Sequence, residues 1–423
     1  MNTICNFWDL DVYLLYFLDI CTITILKSVS INQKTLLSNL DFITELYQLK
    51  QLYPHMHYDN IITYAAKHNF INIIIWIRKS INQFAYSAET IYLASRYGNV
   101  RILEWFDKYA YDFFDVTESI TRASLGNKIS VLQWFNNSKY EFKYSDEAID
   151  YASANGCIDV LNWFNESEYE FVYTSKAIDY AAKNGHIDVL NWFDESEYEF
   201  KYTPKAINWA ARNGIITVLN WFATSEYEFR YTERAIDWAA RYDKIIVLDW
   251  LHNSEYEFKY TERAINSASS KGYISILNWF AESEYEFRYT EKAINWAAYN
   301  GNIDVLNWYH MSEYDFLYTI DAINGAAQNA HIDILNWFDN SDYNFLYDAM
   351  AINRASWSGH ICVLEWFEKS HYDFLYNERA INWASEKGHV PILEWFDKHN
   401  HDFIYSVSAI NLASKNGARE RLQ

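Results

Sequence analysis

Histidines, paired carboxylates and cysteines are the residues of this chain that could do chemistry. His186, His331, His360 and His389 offer imidazoles for metal binding or proton transfer, but each stands alone, whole multiples of 29 residues from the next. That placement predicts a structural hydrogen bond to a neighbouring unit, not a shared site. His55 with His57, and His399 with His401, lie closer together, but neither pair has the further ligands a zinc site needs. Glu168 and Glu170, Glu197 and Glu199, Glu226 and Glu228, Glu255 and Glu257, and Glu284 and Glu286 form carboxylate pairs. Two carboxylates can serve glycoside hydrolysis as acid and base, but the same pair on many units does not make one unique centre. Cys5, Cys21, Cys157 and Cys362 show no CxxC spacing, so neither a disulfide framework nor a metal knuckle is expected, which fits a reducing compartment. No phosphate loop or nucleophile–base pair is present. No catalytic, cofactor-binding or metal residue is therefore predicted, no cofactor is expected, and the chain is read as not an enzyme.

The elements that position these groups follow one beat. Trp76, Trp105, Trp134, Trp163, Trp192, Trp221, Trp250, Trp279, Trp308, Trp337, Trp366 and Trp395 recur every 29 residues without insertion or deletion. Ala65, Ala94 and their equivalents to Ala413 keep the same period. A fixed period of this length marks a solenoid whose units are stable only when stacked.

One unit, Ala177 to Lys205, reads as two short helices and a connector. Ala177, Ile178, Ala181 and Ala182 form an apolar stripe on a first helix. Thr174, Thr203, Thr232, Thr261 and Thr290 precede it as N-caps, and Gly185 and its equivalents end it. Ile187, Val189, Leu190, Trp192 and Phe193 mark a second helix, and Pro391 falls in the first turn of a later copy. The alternation Tyr198 to Tyr202 then predicts a short extended connector. The Trp column is expected to be core, on the inner face of the second helix and pressed against a neighbour's alanine-rich first helix.

With 50% hydrophobic residues the chain can build an ample core, which excludes disorder from low hydrophobicity. A net charge of −21 argues against nucleic acid and favours basic protein partners or simply solubility. Residues 7–26 are apolar, but Asp9, Asp11 and Asp19 fall among them, so a capping helix is expected there and a membrane span is not.

The stretch Ala181 to Leu190, Ala-Ala-x-x-Gly-His-Ile-Asp-Val-Leu, resembles the ankyrin repeat, and the resemblance covers about residues 60 to 417. The repeat style is similar to the ankyrin-like families of giant amoebal viruses of the mimivirus type. The period is 29, where ankyrin repeats run 33, and Thr-Pro-Leu-His is replaced by forms such as Lys205-Ala-Ile-Asn. A turn shorter than the ankyrin finger is therefore expected. The resemblance implies an all-α, ankyrin-like solenoid of about 12 to 13 stacked helix-turn-helix repeats. Expected boundaries are a cap or short helical segment over 1–31, a degenerate first repeat over 32–60, the array over 61–417 and a tail over 418–423. It implies a non-enzymatic, monomeric scaffold that binds host or viral proteins, placed in the cytoplasm, that of the host cell if viral. An adaptor for a host ubiquitin ligase, with residues 1–31 as the ligase-binding segment, is one alternative. A structural or membrane-attached component is the other.

Specificity is sought where the repeats differ. Lys183, Arg212, Arg241, Tyr299, Trp357 and Glu386 share one varying position of the first helix, expected to be exposed on a concave side. Trp209, Trp238, Trp296 and Trp383 share another, expected to be half buried. The paired glutamates, faced by Lys143, Lys201, Arg230, Lys259 and Arg288, predict a solvated, salt-bridged edge, with an acidic strip for a basic partner as the alternative.

Overall fold

The computed structural model describes residues 60–80 and 84–406, except 110, 112, 114, 400 and 403, together with the single positions 45, 48, 49, 51 and 52. The expected cap over 1–31, the tail over 418–423 and most of the stretch over 32–60 lie outside the described residues. Glu45 and Leu49 lie inside that stretch. Leu49 is fully buried, and the Glu45 carboxylate accepts the amides of Asn72 and Ile73 at the start of a later helix.

The described residues form 24 helices and no strand. They alternate as short pairs; within each unit, apart from the helix at the division, each first helix packs on the next first helix and on its own second helix. The chain divides into two compact units, 1–206 and 207–423. In the first unit, α1 (Ile61–Lys67) pairs with α2 (Ile71–Ser80), α3 (Ala88–Tyr97) with α4 (Val100–Lys108) and α5 (Val116–Leu125) with α6 (Ile129–Asn136). There α7 (Asp146–Ala154) pairs with α8 (Ile158–Glu166) and α9 (Ser175–Asn184) with α10 (Ile187–Glu195). Helix α11 (Lys205–Asn213) straddles the division and is followed by α12 (Ile216–Thr224). In the second unit, α13 (Arg234–Arg241) pairs with α14 (Ile245–His252), α15 (Glu262–Lys271) with α16 (Ile274–Glu282) and α17 (Lys292–Tyr299) with α18 (Ile303–Met311). The series ends with α19 (Ile320–Gln328) and α20 (Ile332–Asp339), α21 (Met350–Ser358) and α22 (Ile361–Lys369), and α23 (Glu378–Lys387) and α24 (Val390–Lys398).

Local chemistry sets these boundaries. Thr174 accepts the amide of Lys176 at the start of α9, and Gly185 ends that helix at φ 81°. The left-handed position tolerates glycine best. Asn69, Asn127 and Asp243 take it at φ 60°, 54° and 54°, and Ala330 takes it at φ 59°. Pro391 stands in the first turn of α24, where its missing N–H costs no helical bond.

The core runs through each pair. Ala177, Ile178, Ala181 and Ala182 of α9 are fully buried, as are Val189, Leu190 and Phe193 of α10. The small side chains let first helices approach closely, and the large ones fill the space beneath. Burying one Phe or Leu side chain contributes about 1.5–3 kcal/mol.

Candidate functional site

The first helices of the second unit present rings backed by cations. On α13, Trp238 is half buried, with the guanidinium groups of Arg212 and Arg234 each 5.9 Å from the ring centre. Arg212 also donates to the Tyr242 hydroxyl at 2.9 Å and lies 4.6 Å from that ring. Arg241 is exposed, its guanidinium 6.0 Å from the centre of the Tyr242 ring. On α17, Trp296 and Tyr299 are 44% and 39% exposed, too open to be core, and Lys292 lies over Trp296. Trp357 on α21 is 40% exposed beneath the Lys387 ammonium, and half-buried Trp383 on α23 lies beneath Arg379. Glu386 is half buried one residue before Lys387. In the α9 and α11 helices, Lys183 is half buried over Tyr180, and Trp209 is half buried.

Three of these first helices converge on one cavity. It measures about 340 Å³ and is lined by Glu291, Lys292, Asn295, Trp296 and Tyr299, by Thr319 and Asp321, and by Arg354. Gly325 makes room beside it. A β-carbon there would come within 3.0 Å of the Tyr299 ring. Two of the candidate binding residues, Trp296 and Tyr299, thus share a wall with Arg354, whose position belongs to the tryptophan column.

The regular Trp column sits differently from the expectation. In the interior repeats the rings are half buried, and they stack on connector aromatics. Phe258 stacks between Trp279 at 5.4 Å and Tyr285 at 4.0 Å. The indole N–H groups of Trp192, Trp250, Trp308, Trp337 and Trp366 each donate to the Asn one repeat earlier, as Trp279 does to Asp249 at 2.6 Å. The polar end of the indole needs a partner, which draws the ring outward. The next residue, such as Phe193 or Phe338, fills the core instead. Trp105 and Trp395 are buried, at 8% and 5% exposed.

Sequence reasoning missed a buried polar column. Asp150, Asp179, Asn208, Asp237, Asn266, Asn295, Asn324 and Asn353 lie inside the first helices, with at most 6% exposure. Each meets the cap residue 24 positions later. Asp179 accepts the Thr203 amide at 2.8 Å and the Thr203 hydroxyl at 2.7 Å. Asn266 accepts the Thr290 amide but donates its own amide to the Thr290 hydroxyl. Burial pushes the carboxyls of Asp150, Asp179 and Asp237 up, against the opposing pull of these Thr bonds. The fixed 24-residue step from Asp or Asn to Thr was the available signal.

The turn histidines are structural partners. A β-carbon on Gly156 would meet the His186 ring at 2.7 Å, and one on Gly301 would meet His331 at 2.6 Å. His389 Nε2 donates to the Trp357 carbonyl at 3.0 Å, closing one open end of α21. Asn99 and Asn302 do the same for their preceding first helices. Burial, then the neighbouring His389 and His331, lowers the His360 imidazole below its ordinary value. His399 stacks on Trp395 at 4.2 Å, and His401 stacks on Phe374 at 4.4 Å while donating to the Glu368 carboxylate. His55 and His57 lie outside the described residues. Among the described residues no group of three metal-ligating side chains assembles. Nor is any described helix long and apolar enough to cross a membrane; residues 7–26 lie outside that description.

The connector edge carries the expected ion pairs, each within one loop. Lys201 meets Glu199 at 3.7 Å, Lys259 meets Glu257 at 3.1 Å and Arg288 meets Glu286 at 2.8 Å. The cations also reach back over the previous connector: Lys201 lies 4.9 Å from the Tyr173 ring centre, and Arg288 lies 5.4 Å from that of Tyr260. Such exposed pairs contribute about 0–1 kcal/mol each.

Compared with known proteins, the chain matches no family model and no curated protein.

Proposed function

We propose that the chain is an ankyrin-like solenoid that serves as a non-enzymatic scaffold for protein–protein interaction. Its first-helix face takes the partner. On this reading it is a viral protein working in the host cytoplasm as a monomer. The observation that carries the proposal is the wall of Trp296, Tyr299, Lys292 and Arg354 around the α17–α21 cavity. Rings at 39–44% exposure beside cations are the anchors that interface hot spots favour. The face fits a partner segment that offers apolar side chains to the rings and carboxylates to the cations. Elsewhere the polar groups are spent on joining repeat to repeat, which suits a support and not a reaction centre.

The test is cross-linked capture in the host cell with wild type and with Trp296→Ala/Tyr299→Ala/Arg354→Ala. The expected result is a partner held by wild type and lost from the triple variant, with unchanged helical circular dichroism. The same partners on both proteins would sink the reading.

A further inference from the structure

The connectors of the second unit change character partway along. At one position they carry Arg230, Lys259 and Arg288, each paired with the carboxylate two residues earlier. In the next four connectors that position is Leu317, Leu346, Leu375 and Ile404, which are 43%, 38%, 41% and 46% exposed. One backbone bond occurs in both sets. The Arg230 amide donates to the Glu228 carbonyl at 2.9 Å, and those of Leu317, Leu375 and Ile404 donate to Asp315, Asp373 and Asp402 at 3.0, 2.9 and 2.9 Å. The tyrosine of the preceding connector also donates to each of those three aspartate carbonyls.

The side chains therefore change without the fold requiring it. Lysine fits this backbone as well as leucine does. The switch has two effects at once: it exposes a row of aliphatic groups, and it removes the internal counter-ions. Asp315, Asp373 and Asp402 remain exposed two residues before Leu317, Leu375 and Ile404, while the Leu346 connector has Asn344 there and the exposed Asp342 two residues further back; among the described residues no ion pair reaches these aspartates. An apolar row flanked by unneutralised carboxylates complements a partner with apolar and cationic side chains.

We infer that the connector edge from Leu317 to Ile404 is a docking surface for a basic, amphipathic protein segment in extended form. At roughly 8–10 Å per stacked repeat the row spans roughly 25–30 Å. An extended chain covers that in about eight or nine residues. Alternation suits the match, with one side of the strand apolar against the row and the other cationic toward the aspartates. The inference rests on the scaffold reading but uses a different surface from the first-helix cavity.

The test is fluorescence anisotropy of a labelled twelve-residue peptide of alternating Leu and Lys against the full chain. Wild type should bind it, and Leu317→Lys/Leu346→Lys/Leu375→Lys should bind at least tenfold more weakly while keeping its melting temperature. Asp315→Asn/Asp373→Asn/Asp402→Asn should also weaken binding and flatten its salt dependence. Equal binding by the lysine variant overturns the inference. So does equal binding of a Gly-Lys peptide, which would mean bulk attraction to the acidic chain. A concentration-dependent dimer in sedimentation that the lysine variant abolishes would assign the row to a second copy and overturn it too. If the peptide fails while Trp296-dependent capture persists, only the edge is lost; if capture fails while the peptide binds, the first-helix face is lost.

Discussion

Inside the second unit, two changes of side chain are answered by a partner; on the connector edge one is not. Asp237 faces the Thr261 hydroxyl as acceptor, whereas Asn324 faces the Asp348 carboxylate as donor at 2.8 Å. Where Tyr309 replaces the usual buried Phe, Ser269 stands 3.1 Å from its hydroxyl. Both of these changes keep their hydrogen bonds satisfied, as buried polar groups require, whereas the buried Ser356 hydroxyl has no such partner. On the edge, Arg288 gives way to Leu317 with no compensating change: the carboxylate stays and its cation goes. Answered changes belong to the fold. An exposed change that nothing in the chain answers is open to something outside it.

The comparison breaks most sharply at position 324. Asn324→Asp would set a buried carboxylate against Asp348 and cost about 3 kcal/mol at neutral pH, read as a lowered urea midpoint. Acidification should restore much of the loss, because a protonated carboxyl can donate as the amide did. Next in size, Ser269→Ala leaves the Tyr309 hydroxyl buried without a partner and costs about 1–3 kcal/mol. Ser153→Ala and Ser356→Ala should move the midpoint the other way, since those buried hydroxyls have no hydrogen-bond partner.

Asp179→Asn sharpens the contrast through pH. Burial raises the native carboxyl above its unfolded value. The native state therefore holds that proton more tightly, and stability is greatest below the unfolded pKa and falls as pH rises through the native one. The amide variant escapes this loss, so it should be at least as stable as wild type at pH 7, with a gap that closes as pH falls. Parallel urea titrations from pH 3 to 7 measure it, and a gap that widens on acidification would contradict the sign. Smallest of all, Leu346→Lys should shift stability by no more than about 0.5 kcal/mol in either direction. Its melting temperature checks that the edge is free of the fold.

Much of the architecture was legible in the sequence because caps and stops act locally. Thr174, Gly185 and Pro391 mark helix ends by chemistry within a few residues, and the 29-residue beat then places every copy. The candidate columns were also legible as positions, and Trp296 and Tyr299 do share a cavity wall. What the sequence hid depends on which groups meet across repeats. The Asp179–Thr203 bond needs the connector to return over the first helix, and periodicity alone does not give that register. The tryptophans were misplaced for the same reason: an indole counts as apolar in a pattern, but the Trp279 N–H must find Asp249, and that moves the ring toward the connector. The break from Arg288 to Leu317 was visible in the letters. Its exposure was not, because alternation in a five-residue connector leaves open which side faces solvent.

The most direct test of paired interior changes is a double-mutant cycle between positions 324 and 348, read by urea unfolding. Asn324→Asp alone should be costly. Adding Asp348→Thr recreates the Asp–Thr pair seen at 237 and 261, and it should recover most of the loss, giving a coupling above about 1 kcal/mol. Effects that simply add, within about 0.5 kcal/mol, would contradict the account.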